Sequence, residues 1–175
     1  ILAGYCASRG YIAKRDFNGD AVWWRQDYYI DHLTSWPNPQ YEDIHQTIDG
    51  GYVVCGTQSG ESSGRVNSIM KITSTGEHQW HIDIEDYNSA YAKDVELTEN
   101  GDYMLLISKF EGRTDLFREH PDGYLNSSWQ LYDLNNFEGA SLKETSDSGF
   151  IIIGSTYQGG DMLLLKIDEN GVLPY

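Results

Sequence analysis

The side chains with the widest chemical reach in this 175-residue chain are five histidines, His32, His45, His78, His81 and His120, and two cysteines, Cys6 and Cys55. Imidazole and thiolate hold zinc and related ions when they recur at short paired spacings. These residues are scattered instead. In the densest group, His78-Gln-Trp80-His81, strict strand alternation puts the two imidazoles on opposite faces, so no metal site is expected. The run Asp16-Phe-Asn18-Gly-Asp20 opens like a calcium loop. Its glycine comes two positions early and its twelfth residue is Asp27 where glutamate is needed, so it reads as a hairpin turn.

Carboxylates are the other chemical resource. Asp43, Asp94, Glu96 and Glu144 lie on short alternating segments, and a glycosidase needs two such acids about 5 to 9.5 Å apart across its substrate. With 27 acidic residues against 12 basic ones, close pairs arise by chance, and a solvated surface is the simpler reading. No Gly-x-Ser-x-Gly elbow, phosphate-cradling loop or dinucleotide fingerprint is present, so neither a nucleophile nor a cofactor is expected. The net charge of −15 repels phosphate backbones and anionic headgroups, which argues against nucleic acid and membrane surfaces as partners. No apolar window is long enough to span a bilayer.

The elements that must position these groups recur. Thr47-Ile-Asp-Gly-Gly-Tyr52-Val-Val-Cys, Thr98-Glu-Asn-Gly-Asp-Tyr103-Met-Leu-Leu and Thr145-Ser-Asp-Ser-Gly-Phe150-Ile-Ile-Ile are copies spaced by about 50 residues, the mark of a repeat architecture. Before each Thr lies an alternating segment (Asp43 to Thr47, Asp94 to Thr98, Ser141 to Thr145), strand A of a unit. Strand B follows as an almost continuous apolar run, Tyr52 to Thr57, Tyr103 to Ser108 and Phe150 to Ser155, matched in part by Ile1 to Tyr5. Such runs are buried on both faces. Strand C covers Tyr11-Ile-Ala-Lys, Ser68-Ile-Met-Lys-Ile, Asp115-Leu-Phe-Arg and Asp161-Met-Leu-Leu-Leu-Lys-Ile. It closes on Asn18-Gly19, Thr75-Gly76, Asp122-Gly123 or Asn170-Gly171, dipeptides that supply hairpin turns. Strand D opens with an aromatic, Trp23 and Trp24, Trp80, Trp129 or Tyr175, placed to anchor each unit to its neighbour. Cys6 and Cys55 fall in or near successive B strands at non-equivalent positions, and either bridge two units or are buried thiols.

Four antiparallel strands per unit, with no helical periodicity, describe an all-β chain built as a β-propeller of four-stranded blades, about three and a half to four of them visible. The expected blades are 1–30, lacking strand A, then 42–86, 92–133 and 139–175, within a single propeller over 1–175 or part of a larger one. The stretch Asp49-Gly-Gly-Tyr-Val-Val-Cys-Gly56, followed by Ile69-Met-Lys-Ile and Thr75-Gly-Glu-His-Gln-Trp80, resembles the DGGY-type propeller repeats of bacterial secreted and surface proteins. Its Gly-x-x-x-Trp end is similar to the tryptophan docking motif of quinoprotein propellers, although no cofactor-clamping set accompanies it. Thr145-Ser-Asp147-Ser-Gly149 partly resembles the Asp-box of sialidase propellers, without its terminal Thr-Trp and at a different turn. The resemblance implies an extracellular, cell-surface or periplasmic location, and it carries little about activity because one fold hosts many functions.

Unit one lacks strand A and unit four stops at Tyr175 where strand D should begin, so either further blades precede or follow, or the open edges pair with another copy. In propellers the D–A and B–C connections form the ligand face. Here they carry Trp36, Tyr41, Tyr87, Tyr91, Phe137 and Tyr157, rings suited to stacking on sugars or anchoring a protein, or else to covering blade edges. Asn126-Ser-Ser is an N-glycosylation sequon. The reading is a non-enzymatic recognition module of an exported or cell-surface protein, binding a glycan or protein through aromatic loops. The alternatives are a carbohydrate-active enzyme with carboxylates at the channel mouth, and a structural subunit completed by pairing between chains.

Overall fold

The computed structural model describes the chain except residues 8, 28–37, 60–64, 87–89, 110–111, 124, 131–135, 158 and 174–175, with backbone alone at 59, 85–86 and 125–130. The described residues are all-β, and among them no helix is long and apolar enough to cross a membrane. They fall into two compact units, Ile1–Ser89 and Ala90–Tyr175.

In the first unit β1 (Leu2–Cys6), β2 (Arg9–Arg15) and β3 (Ala21–Asp27) form a three-stranded sheet, and β4 (Gln40–Gln46), β5 (Tyr52–Ser59), β6 (Arg65–Ile72) and β7 (His78–Asp86) a four-stranded one. In the second, β8 (Ala90–Leu97), β9 (Tyr103–Lys109), β10 (Arg113–Glu119) and β11 (Leu125–Gln130) form a four-stranded sheet, and β12 (Phe137–Glu144), β13 (Phe150–Thr156) and β14 (Met162–Ile167) a three-stranded one. Every sheet is an antiparallel meander in chain order, as the turn dipeptides require. Each unit encloses its own core. Ile12, Tyr41, Tyr52, Val54, Met70 and Ile72 meet between the sheets of the first unit. Met104, Leu106, Leu116, Phe137, Leu142, Phe150, Ile152 and Ile167 do so in the second. Burial on both faces holds for β5, where Val53, Val54 and Cys55 are all inside, but β13 leaves Ile153 exposed.

The hairpins joining β4 to β5, β8 to β9 and β12 to β13 share one device. In the first unit Asp49 accepts a hydrogen bond from Thr47 Oγ1 and from the Gly51 N–H (3.0 Å), while Lys71 on β6 reaches across to its carboxylate at 2.8 Å. Asp147 repeats the arrangement with Thr145, Gly149 and Lys166. Asn100 accepts from Thr98 and the Asp102 N–H in the third copy, where Arg118 takes the place of the lysine. The third strand closes on a glycine with positive φ in all four copies, Gly19, Gly76, Gly123 and Gly171. Asp16 caps its turn by accepting from the Asn18 and Asp20 N–H groups, so the calcium-like run is indeed a hairpin.

Bulges recur as faithfully as turns. Glu42, Lys93 and Ala140 are extra residues in β4, β8 and β12, and Val22, Gln79 and Asn126 are extra residues in β3, β7 and β11. The last set corrects one sequence equivalence: Trp23 and Trp80 lie opposite Lys14 and Lys71, but the residue opposite Arg118 is Ser127, and Trp129 falls two positions further along.

One core position departs from the pattern. Glu119 occupies the place of Ile72 and Ile167, is 0 % exposed, and neither carboxylate oxygen has a hydrogen-bond partner among the described residues. Burial pushes its carboxyl up to about 7. The folded state therefore favours the protonated acid, and the associated stability is complete below the unfolded value near 4.5 and lost as pH rises to about 7. Glu119→Gln should leave thermal stability at pH 4 unchanged and raise it at pH 8, by up to roughly 3 kcal/mol; an equal melting temperature for the two proteins at pH 8 would contradict this. Asp49 runs the other way, held at about 2 by the hydrogen bond from Lys71 and then that from Thr47. Its stability is present above the ordinary carboxylate range and lost as pH falls through about 2. Asp49→Asn should be less stable than the parent at pH 7, with the gap closing on acid titration followed by circular dichroism.

Candidate functional site

Of the six aromatic residues expected on one binding face, four lie among the described residues, and two of those are buried. Trp36 and Tyr87 lie outside the described residues. Tyr41, 2 % exposed, and Phe137, 1 % exposed, are core side chains, a correction whose cause is the bulge at Glu42 and Ala140. Each first strand begins before its bulge, and the extra residue breaks the alternation that would have revealed the strand. The Tyr41 ring lies against Gly10, and its hydroxyl donates at 2.7 Å to Asp27, itself gripped by Arg25. Burial, and then the Asp27 charge, push the phenol well above its usual range. Tyr91 sits half-buried on β8 with Lys93 Nζ 5.2 Å from its ring centroid. Tyr157, half-buried, follows β13 and donates its N–H to Asn136 O at 2.7 Å. Asn126 lies within β11 as its bulge residue. Neither cysteine forms a disulfide among the described residues; Cys55 is buried and Cys6 is exposed.

The acids of the first strands are not simple solvated surface either. Asp94 and Glu96 are buried. Asp94 accepts from Ser141 Oγ (2.6 Å) and the Leu142 N–H (2.7 Å), and Glu96 pairs with Lys143 at 2.7 Å. They join β8 to β12, a structural use of charge that their surroundings satisfy with hydrogen bonds.

In the first unit Trp23 leaves β3 to dock on the turn between β6 and β7. Its indole N–H donates to Ser74 O at 2.9 Å, its ring covers Gly76, and it meets Tyr52 edge-on at 6.0 Å. In the second unit the equivalent residue is Ser127, and a cleft of about 310 Å³ opens among the equivalent turns, lined by Glu99, Asn100, Arg118, Glu144, Ser148 and Glu169. Arg118 corresponds to Lys14, and Glu169 to Ser74, whose carbonyl receives the indole in the first unit. Glu144 is oriented by the Glu99 N–H, which donates to its Oε2 at 2.6 Å. Arg118 Nε stands 3.7 Å from Asp102, because neutral Asn100 offers it no carboxylate of the kind that holds Lys71 and Lys166. Ser148 has φ 61°, in the turn position where the other copies carry Gly50 and Gly101. A non-glycine residue there costs about 1–2 kcal/mol.

This arrangement offers three carboxylates as acceptors, with a guanidinium, an amide and a hydroxyl interspersed, and its lining includes no imidazole or thiol. It suits a ligand that donates and accepts many hydrogen bonds. It also lies at the end of the strands carrying the first-to-second and third-to-fourth strand turns, opposite to the end where the sequence directs attention. The signal that could have found it was the substitution pattern: Asp to Asn at 100, Lys to Arg at 118, Trp to Ser at 127.

No family model matches the chain, and no curated protein sequence does. Among solved structures the chain is similar to a protein of unknown function from Bacteroides caccae, with 12% sequence identity and a TM-score of 0.61. The match covers 98% of this chain and 54% of that one, so the chain spans about half the length of that neighbour. The likeness concerns fold alone.

The Tyr41 environment can be checked directly. A Cβ at Gly10 would come within 2.4 Å of the Tyr41 ring, so Gly10→Ala must displace a packed aromatic that also satisfies Asp27. The substitution should destabilise by about 1–3 kcal/mol in chemical denaturation, and the loss should shrink in a Tyr41→Leu background.

Proposed function

We propose that this chain is a non-enzymatic recognition module of an exported or cell-surface protein, its sheets serving as blades of a DGGY-type β-propeller, which binds a glycan through the polar cleft of its second unit. One observation carries the reading: Glu99, Glu144 and Glu169 converge with Arg118, Asn100 and Ser148 on one cleft of about 310 Å³ in the second unit. Sugar hydroxyls donate to carboxylates and accept from guanidinium and amide groups, so such a mixed lining matches a polyhydroxylated ligand. The strained backbone at Ser148 supports it, since conformations that cost stability concentrate at functional positions. The repeated meanders, turns and bulges support the blade reading, and the net charge of −15 supports a soluble exterior.

A glycan array followed by calorimetry on the best binder tests this. Arg118→Ala and Glu144→Gln should each weaken binding at least tenfold, with the glycan recovered intact after long incubation. Hydrolysis of the bound glycan would favour a carbohydrate-active enzyme using the same acids. Binding unaffected by both substitutions would remove the cleft from consideration. A second reading has one observation in its favour: among the described residues β14 is the edge strand of its sheet, with Met162 82 % exposed and Leu164 also outside, an arrangement suited to pairing with another strand. Light scattering that returned only monomer up to millimolar concentration would dismiss it.

A further inference from the structure

The bulge at Gln79 overturns the expectation that His78 and His81 face apart. Across it His78 lies opposite Ile72 and His81 opposite Met70, two positions apart on the neighbouring strand and hence on one face of the sheet. The two rings meet with centroids 5.4 Å apart, and His78 Nε2 lies 3.3 Å from His81 Nδ1.

We propose that His78 and His81 form a bidentate site for a divalent ion of the imidazole-preferring class, Zn²⁺, Cu²⁺ or Ni²⁺. The separation of the two nitrogens is the first argument. Two imidazole nitrogens, each about 2.0–2.1 Å from a tetrahedral ion, stand about 3.3 Å apart. The rings already hold this spacing, so the entropy of bringing the ligands together is largely met by the strand itself. The second argument is what stands behind His81. Its other nitrogen, Nε2, is 3.8 Å from Asp83 Oδ2, and Asp83 is fixed in turn by Ser68 Oγ at 2.6 Å. With Asp83 on the Nε2 side of the ring, Nδ1, which faces His78, is the nitrogen offered to the ion. The third is access. His78 is exposed, so an ion can enter from solvent and complete its coordination with water. The nearby cations do not oppose this: Lys71 belongs to the opposite face and is paired with Asp49, and Arg25, which reaches Gly76 O, is neutralised by Asp27.

Two neutral nitrogen donors select against Mg²⁺ and Ca²⁺, which take oxygen ligands, and Cu²⁺ should bind most tightly of the three. The site is independent of the cleft in the second unit, and its test does not depend on any glycan.

The purified chain is titrated with Zn²⁺ alone at pH 7.5, following the histidine ring resonances by NMR, and with Cu²⁺ alone, following electron paramagnetic resonance. One equivalent should shift the His78 and His81 resonances together, and the copper spectrum should carry hyperfine structure from two nitrogens. His78→Ala, an exposed substitution that leaves the core untouched, should weaken Zn²⁺ binding at least tenfold. His81→Gln should do the same. Asp83→Asn should weaken it by about tenfold while both histidines remain. Zn²⁺ binding of equal strength in the parent and in His78→Ala would overturn the proposal, as would an absence of any shift of these two residues at millimolar Zn²⁺. An Asp83→Asn variant indistinguishable from the parent would remove the supporting role of Asp83.

Discussion

The recurrent one-residue bulge is the constraint on which the rest of the structure depends. A strand without a bulge must send alternate residues to alternate faces along its whole length, so its aromatic and polar residues sort into two fixed sets. An extra residue exchanges the sets from that point on. In β4 and β12 the exchange lets Tyr41 and Phe137 enter the cores while Asp43 and Ser141 keep the register of the remaining strand. In β7 it places two imidazoles on one face. The same device therefore builds the cores and supplies the unusual side-chain juxtapositions.

Against that constant background the copies differ by substitution at equivalent positions, and the differences are where chemistry concentrates. Lys71 and Lys166 are tied to the second-position acids of their turns; in the turn of Arg118 that position is neutral Asn100, its guanidinium stands 3.7 Å from Asp102, and it also lines the cleft. Trp23 docks on the turn between β6 and β7 in the first unit, and the residue at the equivalent register position in the second is Ser127. Glu119 stands where two other copies have isoleucine. A repeat fold tolerates such departures because each sheet retains most of its own ladder and core contacts, so one weakened copy is supported by its neighbour in the unit.

Much of the architecture was legible in the sequence, since hairpin dipeptides such as Asn18-Gly19 and Thr75-Gly76 and the apolar runs after Tyr52 and Tyr103 are local signals with local causes. The strand pairing follows them closely. The bulges were not legible, because an extra residue changes no composition and leaves only a phase break in the alternation. That one omission made Tyr41 and Phe137 read as loop aromatics and made His78 and His81 read as divergent. The cleft was hidden for a different reason: its acids come from Glu99, Glu144 and Glu169, far apart in the chain and unremarkable among 27 acidic residues.

The opposed ionisations of Glu119 and Asp49 bear on where this chain is at ease. Protonation of the first relieves a buried charge, and protonation of the second releases Lys71 from its turn only in far stronger acid. Between these two events the excess of negative charge across the surface also diminishes, easing self-repulsion. Below about 7 and above about 2, therefore, the buried Glu119 carboxyl is relieved of its charge while the Asp49 carboxylate still fastens its hairpin.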